Sequence, residues 1–478
     1  MSKRLLFLFL ILFSSSCIYS KPINFGIAQS PQNLDPRLSR DAASEKIIDL
    51  IYEKIFEIDE NFQLVSKYIE PRMINPSTYI LKRNNVTGFF ENKSSITIED
   101  IFFTIKDNQE NSVSKFNNDL RAIKSIQVVG NEIYIELHRP DPNFLFRLRI
   151  PILPKNLNEL HVNFTKESIG SNLFKIKTIK PYLILERNDG VEIKFIEVKD
   201  PSVRALKLVT NEIDMLQNDI PLPILQYLKN QKEVHTESNK GNNISYIGFN
   251  HKSKFTKNKL IRKAIAHGIN RNEIIHYFFN EKTELANQLL TSNHWSYVQI
   301  NDNQFNPELS KKLLQEAGVD LPITIEFKTS TDSFRIKIAT ILKNQLEKIG
   351  INLKIISLDW GTFYSDIQRG NFEMYSLTWV NLTSPEIYKD IFHSKMIPPQ
   401  GLNRSYYEDI NLDKMIESSE KNNNWNDVVQ FIFNEALMIP LWYEGNFFAS
   451  NRSLGNYQLR KNGSWSSLNF VKKINDKD

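Results

Sequence analysis

One stretch of the 478-residue chain, residues 323–386, constrains the fold more than any other. Apolar residues alternate over 323–328 and then recur at three- and four-residue steps from Phe334 to Leu346, which predicts a strand followed by a helix. Glycines at 350 and 370 suit helix ends, because glycine accepts a left-handed backbone. The pattern predicts three strands and two helices in alternation, at residues 323–328, 334–346, 351–356, 359–369 and 372–379. This order is typical of an α/β fold with a parallel sheet.

The loop after the third of these strands is the first place to expect a ligand, because parallel sheets bind ligands beyond the carboxyl ends of their strands. Trp379 fits either a ligand-contacting ring or a core tryptophan that caps the sheet. Asn381 could hydrogen-bond a ligand or satisfy its own turn. In a second loop, after Asn403, Arg404 could hold a carboxylate in bidentate fashion or make a structural ion pair.

The composition argues against several functional classes. The chain has 60 Lys and Arg against 55 Asp and Glu, and the basic residues are scattered, so nucleic-acid binding is not indicated. There is no glycine-rich phosphate loop, no H-E-x-x-H and no G-x-S-x-G motif. The eight histidines lie far apart in sequence. We therefore predict a protein that is not an enzyme and has neither a cofactor nor a local metal site.

The first 20 residues have the order of a secretory signal peptide: basic residues, an apolar run at 5–13, and then three serines. Cys17 is the only cysteine and follows those serines, so it could instead be the lipid-modified first residue of a lipoprotein. Both alternatives predict export. No disulfide is available to the remaining chain, and no later stretch is long and apolar enough to span a membrane.

Separated segments of the chain resemble, in family order, the extracytoplasmic solute-binding proteins of ABC importers, family 5, the group of dipeptide, oligopeptide and nickel binders. The segments are Asn-Leu-Asp-Pro at 33–36, Ile-Tyr-Glu-Lys-Ile-Phe at 51–56, Ile-Thr-Ile-Glu-Asp-Ile at 96–101, Phe-Asn at 249–250, Arg-Lys-Ala-Ile at 262–265, Asn-Arg at 270–271, Lys-Lys-Leu-Leu-Gln-Glu-Ala-Gly at 311–318, Leu-Glu-Lys-Ile-Gly-Ile at 346–351 and Pro-Leu-Trp at 440–442. The combination spans nearly the whole mature chain.

The resemblance implies a two-lobed α/β periplasmic binding protein fold of type II, with an extra subdomain in lobe one. It implies lobe one at residues 21–250 with the inserted subdomain at about 50–165, lobe two at 251–438, and a return to lobe one at 439–478. It further implies a monomer that closes around a solute, most often a peptide, and delivers it to ABC permease subunits in the inner membrane.

The resemblance also places the site between the lobes. Trp379, Val380 and Asn381 are expected on the lobe-two side. Opposite them, on the loop after the first strand of lobe one, we expect Gln29, Ser30 and Asn33. Asn403 and Arg404 complete the predicted ligand-binding set.

One departure from the peptide-binding pattern leaves the ligand open. In peptide-binding relatives an aspartate three residues after the tryptophan pairs with the peptide amino terminus, and an Asp-Pro follows. Here Leu382 and Ser384 stand in that region, and the nearest acid is Glu386. Either Glu386 substitutes, or the ligand is not an ordinary peptide. The alternative ligands are a nickel complex and a sugar. The alternative functions are a receptor that presents a ligand to a membrane sensor and an exported hydrolase.

Overall fold

The computed structural model describes residues 21–59, 62–279, 282–300, 304–380 and 382–474. The predicted signal peptide with Cys17, and the predicted site residue Asn381, lie outside the described residues. Within them the chain forms nineteen strands: β1 (Ile23–Ile27), β2 (Glu57–Ile58), β3 (Leu64–Val65), β4 (Ile69–Asn75), β5 (Thr78–Arg83), β6 (Ile123–Val129), β7 (Glu132–Leu137), β8 (Phe174–Thr178), β9 (Leu183–Arg187), β10 (Glu192–Glu197), β11 (Met215–Gln217), β12 (Val234–Phe249), β13 (Glu284–Leu285), β14 (Ile323–Ser330), β15 (Ile351–Leu358), β16 (Met374–Trp379), β17 (Met438–Asn451), β18 (Leu454–Gly455) and β19 (Lys472–Lys473).

The helices cover the faces of the sheets formed by these strands. Three short 3-10 helices, Phe144–Leu148, Ser394–Met396 and Ser466–Asn469, lie in connections. The α-helices of the described residues are α1 (Ala42–Ile51), α2 (Ile98–Glu110), α3 (Asn117–Leu120), α4 (Leu157–Leu160), α5 (Pro201–Val209), α6 (Leu222–Lys229), α7 (Lys259–Gly268), α8 (Arg271–Phe278), α9 (Pro307–Glu316), α10 (Ser333–Glu347), α11 (Trp360–Arg369), α12 (Ile387–Phe392), α13 (Ile410–Asn422) and α14 (Asn426–Asn434). None of them combines the length and the apolar composition that a membrane crossing requires.

One large sheet runs through both lobes in the order β15-β14-β16-β12-β17-β11-β1-β10-β9-β8. At its centre β12 and β17 form a long antiparallel pair. In lobe one, β1 is parallel to both β10 and β11. In lobe two, β14 is parallel to both β15 and β16. The two long strands therefore connect the lobes.

Lobe two confirms the strand and helix alternation predicted at 323–379. Asp332 and Asp359 cap α10 and α11, each accepting a hydrogen bond from a main-chain N–H of the first turn. Gly370 ends α11 in the left-handed conformation, with φ 73°. The apolar faces of α7 and α10 pack on one side of the sheet, and those of α11, α13 and α14 pack on the other. Burial on both faces is what a parallel sheet requires.

The inserted part of lobe one has a four-stranded antiparallel sheet in the order β4-β5-β7-β6 and a separate apolar core with α2. A bridge between Lys54 and Pro151 joins the chain where it enters and leaves this subdomain. The capping box that Thr97 and Asp100 form at the start of α2 explains the acidic residues there. The domain boundaries drawn from the sequence stay a prediction.

Three local predictions differ from the structure. The apolar spacing from Ala42 to Phe56 predicts a single helix, but α1 ends at Ile51, because the main chain of Ile55 pairs with Ile150 at the entry to the subdomain. The sequence at 402–426 indicates only a polar region, but it contains helix α13, which buries Leu412 and Ile416. Composition predicts two strands, at 439–443 and 447–449, but they form one strand, β17, since β12 pairs with both parts of it.

Candidate functional site

Trp379 lies at the carboxyl end of β16, as the sequence predicts, and belongs to the apolar core of lobe two. Its side chain is 9% exposed, and its ring stacks on Tyr246 with centroids 5.8 Å apart and planes 8° from parallel. The indole Nε1 is buried and donates to no acceptor in the described residues. Val380, the next residue, is exposed. The tryptophan therefore caps the core while it stands at the edge where a ligand is expected.

The Arg404 guanidinium packs against two aromatic rings. It is 4.4 Å from the centroid of the Trp379 ring and 5.1 Å from that of Tyr364. Nη2 donates a hydrogen bond of 3.0 Å to the Tyr364 hydroxyl. Arg404 is buried, yet it makes no ion pair with any carboxylate of the described chain. The structural ion pair considered from the sequence is therefore absent from these residues.

Asn403 is fully buried beneath the same loop. Its amide Nδ2 donates to the carbonyl oxygens of Tyr407 at 2.9 Å and His393 at 3.2 Å, and its Oδ1 accepts from the Ser405 hydroxyl at 2.7 Å. These bonds fix the loop that carries Arg404. Asn403 thus holds its neighbour in place, and its predicted contact with a ligand stays untested.

The predicted lobe-one residues lie in the loop after β1, at the carboxyl edge of that lobe's parallel strands. Gln29 is exposed. The Ser30 N–H donates to Glu197 at 2.9 Å, and the Asn33 Oδ1 accepts from the Asp35 N–H at 2.9 Å. The loop is therefore held partly by its own polar side chains. Its role in ligand binding stays a prediction.

The inserted subdomain contacts lobe two directly. Arg149 donates a hydrogen bond of 2.6 Å from Nη1 to the Thr383 hydroxyl. The Phe62 ring packs against His294, with centroids 4.7 Å apart. The His294 Nε2 in turn lies 3.3 Å from the Thr383 carbonyl oxygen. These contacts hold the loop after β16 against the inserted subdomain, and we call them the interlobe clasp.

Glu386 lies beside the clasp and is 9% exposed. Its Oε1 is buried and accepts no hydrogen bond in the described residues. Burial raises the pKa of Glu386 to about 8, although the charge of Arg147 opposes this. Arg147 is itself held by Asp141 at 2.9 Å and Asp119 at 3.2 Å. The acid proposed as a substitute anchor is therefore packed at the lobe interface.

A polar cluster that the sequence did not lead us to expect joins the start of α10 to strands β12, β16 and β17. Arg335, in the first turn of α10, donates to the Ser245 hydroxyl at 3.1 Å and the Thr378 hydroxyl at 2.9 Å. It also lies 3.2 Å from a Glu444 carboxylate oxygen. The sequence does contain a signal for the position of Arg335. Asp332 predicts that a helix begins just after β14, so Arg335, in the first turn of that helix, lies beyond the carboxyl end of β14.

The comparisons decide the family. The sequence profile of the bacterial extracellular solute-binding proteins, family 5 Middle, matches residues 83–392, more than half of the chain. The chain is a family 5 solute-binding protein. This membership confirms the family predicted from the sequence, and with it an extracytoplasmic binding role.

Among its relatives, the family 5 protein is 24% identical to the oligopeptide-binding protein AppA of Bacillus subtilis, over 91% of this chain and 88% of that protein. The structure of AppA in complex with a nonapeptide superimposes with a TM-score of 0.80, at 22% identity, over 95% of this chain and 99% of that one. NikZ from Campylobacter jejuni, in complex with Ni(L-His), has a TM-score of 0.81 at 19% identity, over 95% and 99%. These likenesses confirm the two-lobed fold.

Proposed function

We propose that this family 5 protein is the extracytoplasmic receptor of an ABC importer, and that it binds a peptide between its lobes and delivers it to the permease subunits of the inner membrane. The clasp between Arg149 and Thr383 carries the proposal, because it joins the inserted subdomain of lobe one to the loop after β16 of lobe two. A solute that contacts both lobes then favours the closed state over the open one.

The hinge between the lobes fits this mechanism. Pairing between β12 and β17 is interrupted after Asn239, where residues 240–242 bulge opposite Gly445. Beside the interruption, Asn446 donates to Asn239 at 3.2 Å and accepts from Asn218 at 3.1 Å. Because β12 and β17 pair on both sides of this interruption, the two strands can bend at it while the paired segments on either side stay intact.

A peptide is the first candidate solute. Val380 follows Trp379, the last residue of β16, and is 54% exposed, so it is accessible to an extended ligand beyond the end of that strand. AppA, the relative described above, is an oligopeptide-binding protein. The chain would act as a monomer, without turnover of the solute. We extend the proposal to export into the periplasm, with or without a lipid on Cys17.

A nickel complex is the second candidate. The loop after Trp379 has Leu382, which is buried, where peptide-binding relatives are expected to have an aspartate. NikZ is solved with nickel bound to L-histidine. No group of three metal-ligating side chains occurs in residues 21–59, 62–279, 282–300, 304–380 and 382–474. A metal bound here would therefore arrive with ligands of its own.

A thermal-shift screen tests the proposal, since a solute that binds only the folded protein raises its melting temperature. The panel contains a tripeptide pool, a pool of longer peptides, nickel with L-histidine, and maltose. Native mass spectrometry of freshly purified protein then identifies any retained solute. Stabilisation by peptides is expected. A retained nickel complex or sugar, with no response to peptides, would replace the peptide by that solute.

A further inference from the structure

We infer that closure of the interlobe clasp is coupled to proton uptake by Glu386 and Asp390, so that the protein holds its solute more tightly as the pH falls. The inference rests on the proposed function and adds a regulation of the same cleft. It derives from the charges that the inserted subdomain and the start of α12 bring together.

Glu386 and Asp390 lie on one face of the same helix. Glu386 immediately precedes α12 and already has helical dihedral angles, φ −58° and ψ −20°, so it lies one turn before Asp390. Like charges at this spacing repel each other. The charges of Arg147 and Asp141, both from the inserted subdomain, act on Glu386. Those of Asp119 and Arg147 act on Asp390, so both carboxyls face the subdomain across the contact.

The cations at this contact are already engaged by other groups. Each of the three has a partner of its own: Arg147 with Asp141 at 2.9 Å and Asp119 at 3.2 Å, Arg149 with Thr383 at 2.6 Å, and Lys389 with Glu420 at 2.7 Å. Neither Glu386 nor Asp390 forms an ion pair within the described part of the chain. The charge of Arg147 is thus shared among several carboxylates, and it balances these two only in part.

The contact between the lobes also keeps water from these carboxyls. Glu386 is 9% exposed, and its buried Oε1 accepts no hydrogen bond from the described residues. Burial raises the pKa of Glu386 to about 8 and that of Asp390 to about 6. When the lobes separate, water replaces the subdomain beside both groups, and their pKa values fall towards the ordinary range. The closed state therefore binds protons more tightly than the open state, and rising pH favours opening.

Two further ionisable side chains lie close to the clasp, and neither changes charge with Glu386. Burial raises the pKa of Tyr79 above its ordinary value of 10, so its hydroxyl stays protonated. Burial lowers the pKa of His294, which contacts the Thr383 carbonyl oxygen, below its ordinary value of 6.5. Among these groups, Glu386 is therefore the one that loses a proton between pH 6.5 and 8.5.

Isothermal titration of the full mature chain at pH 6.5, 7.5 and 8.5 tests the inference, with a tripeptide pool, nickel with L-histidine, and maltose as probes. The wild type should bind its solute about ten-fold more weakly at pH 8.5 than at pH 6.5, because the apparent affinity follows the closed fraction. Glu386→Gln resembles the protonated acid, and its affinity should change by less than about three-fold over this range. Repeating the titrations in phosphate and in Tris, whose ionisation enthalpies differ, should reveal proton uptake at pH 7.5 in the wild type and less in Glu386→Gln.

Small-angle scattering without solute gives a measurement that does not depend on which solute binds. The radius of gyration of the wild type should increase from pH 6.5 to 8.5, and that of Glu386→Gln should stay constant. Asp390→Asn should keep the increase, because Asp390 titrates at lower pH. Glu308→Gln changes an exposed carboxyl on α9 and should follow the wild type in both experiments. Urea unfolding at pH 6.5 establishes that each variant is folded.

The outcomes separate this inference from the proposed function. Equal dependence of affinity on pH in the wild type and in Glu386→Gln would overturn the inference, whichever probe binds. Binding of nickel with L-histidine or maltose alone removes the peptide from the proposed function, and the same comparison is then made with that probe. If no probe binds, the proposed function fails, and the radius decides the inference: a wild-type radius that does not rise with pH contradicts it.

Discussion

Arg149 donates a hydrogen bond to Thr383, although the two residues are 234 positions apart in the chain. Burial lowers the pKa of Arg149, with the charges of Glu386 and Asp119 opposing that effect. A buried guanidinium needs an acceptor, and here lobe two provides it from the loop after β16. The bond therefore couples the packing of one lobe to the position of the other.

Thr383→Val should shift the protein towards the open state. The substitution keeps the side-chain shape but removes the acceptor, and a hydrogen bond to a charged group contributes about 1.5–3 kcal/mol. Small-angle scattering without added solute should give a larger radius of gyration than that of the wild type. Thr340→Val, which changes an exposed hydroxyl on α10, is the matched control. An identical radius in the Thr383 variant would show that the bond does not hold the lobes together.

Glu386→Gln should make stability less dependent on pH. The folded-state pKa of about 8 lies above the ordinary value of 4.5, so the folded protein binds the proton more tightly. The stabilisation is complete below about pH 4.5 and is lost as pH rises through 8. Around Glu386, Arg147 and Asp141 belong to the inserted subdomain, and Asp390 and Glu420 to lobe two.

Urea unfolding at pH 5, 6.5 and 8.5 measures this dependence. The glutamine variant should be more stable than the wild type at pH 8.5, by on the order of a few kcal/mol, and the difference should shrink towards pH 5. Asp390, with a pKa raised to about 6 by burial, adds a residual slope at lower pH. Glu308→Gln, at an exposed helix position, should leave the profile unchanged. Parallel profiles for the wild type and Glu386→Gln would contradict the assignment.

Gly241→Ala should perturb the hinge. A Cβ at Gly241 would clash with the carbonyl oxygen of Glu444 on the neighbouring strand, and main chain cannot yield as a flexible side chain can. We expect a loss of about 1–3 kcal/mol in urea unfolding and an altered radius of gyration. Gly361→Ala, in the first turn of α11, meets only Asp359 at 3.4 Å and should be neutral or stabilising. Equal stability of the two variants would argue against close strand contact at the hinge.

The pair of Arg335 and Glu444 should show energetic coupling. Their side chains are 28% and 26% exposed, and both contact Ser245. Arg335→Gln and Glu444→Gln should each destabilise the protein, and the double variant should lose less than the sum by about 0.5–3 kcal/mol. The exposed pair of Lys311 and Glu308 gives the reference cycle, with a coupling below about 0.5 kcal/mol. Additive effects at Arg335 and Glu444 would exclude a cooperative cluster.

The local sequence pattern is sufficient to predict the lobe-two sheet, because the signals that define its strands and helices act between residues close in the sequence. The caps at Asp332 and Asp359 and the turn at Gly370 each work within one helical turn. The same signals failed where a distant segment supplied the pairing. Residues after Ile51 leave the helix because Ile150 bonds to Ile55, and no local periodicity encodes that partner.

The same difference between local and distant signals applies to the candidate site. The sequence locates Trp379 because it ends a predicted strand, and parallel sheets bind ligands beyond the carboxyl ends of their strands. Arg335 was overlooked although its helix was predicted, because its partner Glu444 comes from a strand more than a hundred positions later. Asn403 was predicted beside Arg404, but only the packed loop shows that its amide is satisfied by the main chain.

The sequence by itself determined the α/β class, the alternation in lobe two, the family and the edge on which to look for a solute. Hydrophobic periodicity, helix caps and the order of the family motifs carry this information. The first two act between residues that are close in the sequence, and the motif order is visible along the chain without knowledge of its folding. Tertiary structure alone decided that Arg149 contacts Thr383, and that Arg404 packs against Trp379 and Tyr364 with no ion pair to an acid among the described residues. Those relationships depend on where distant loops meet, which packing fixes only once both lobes have folded.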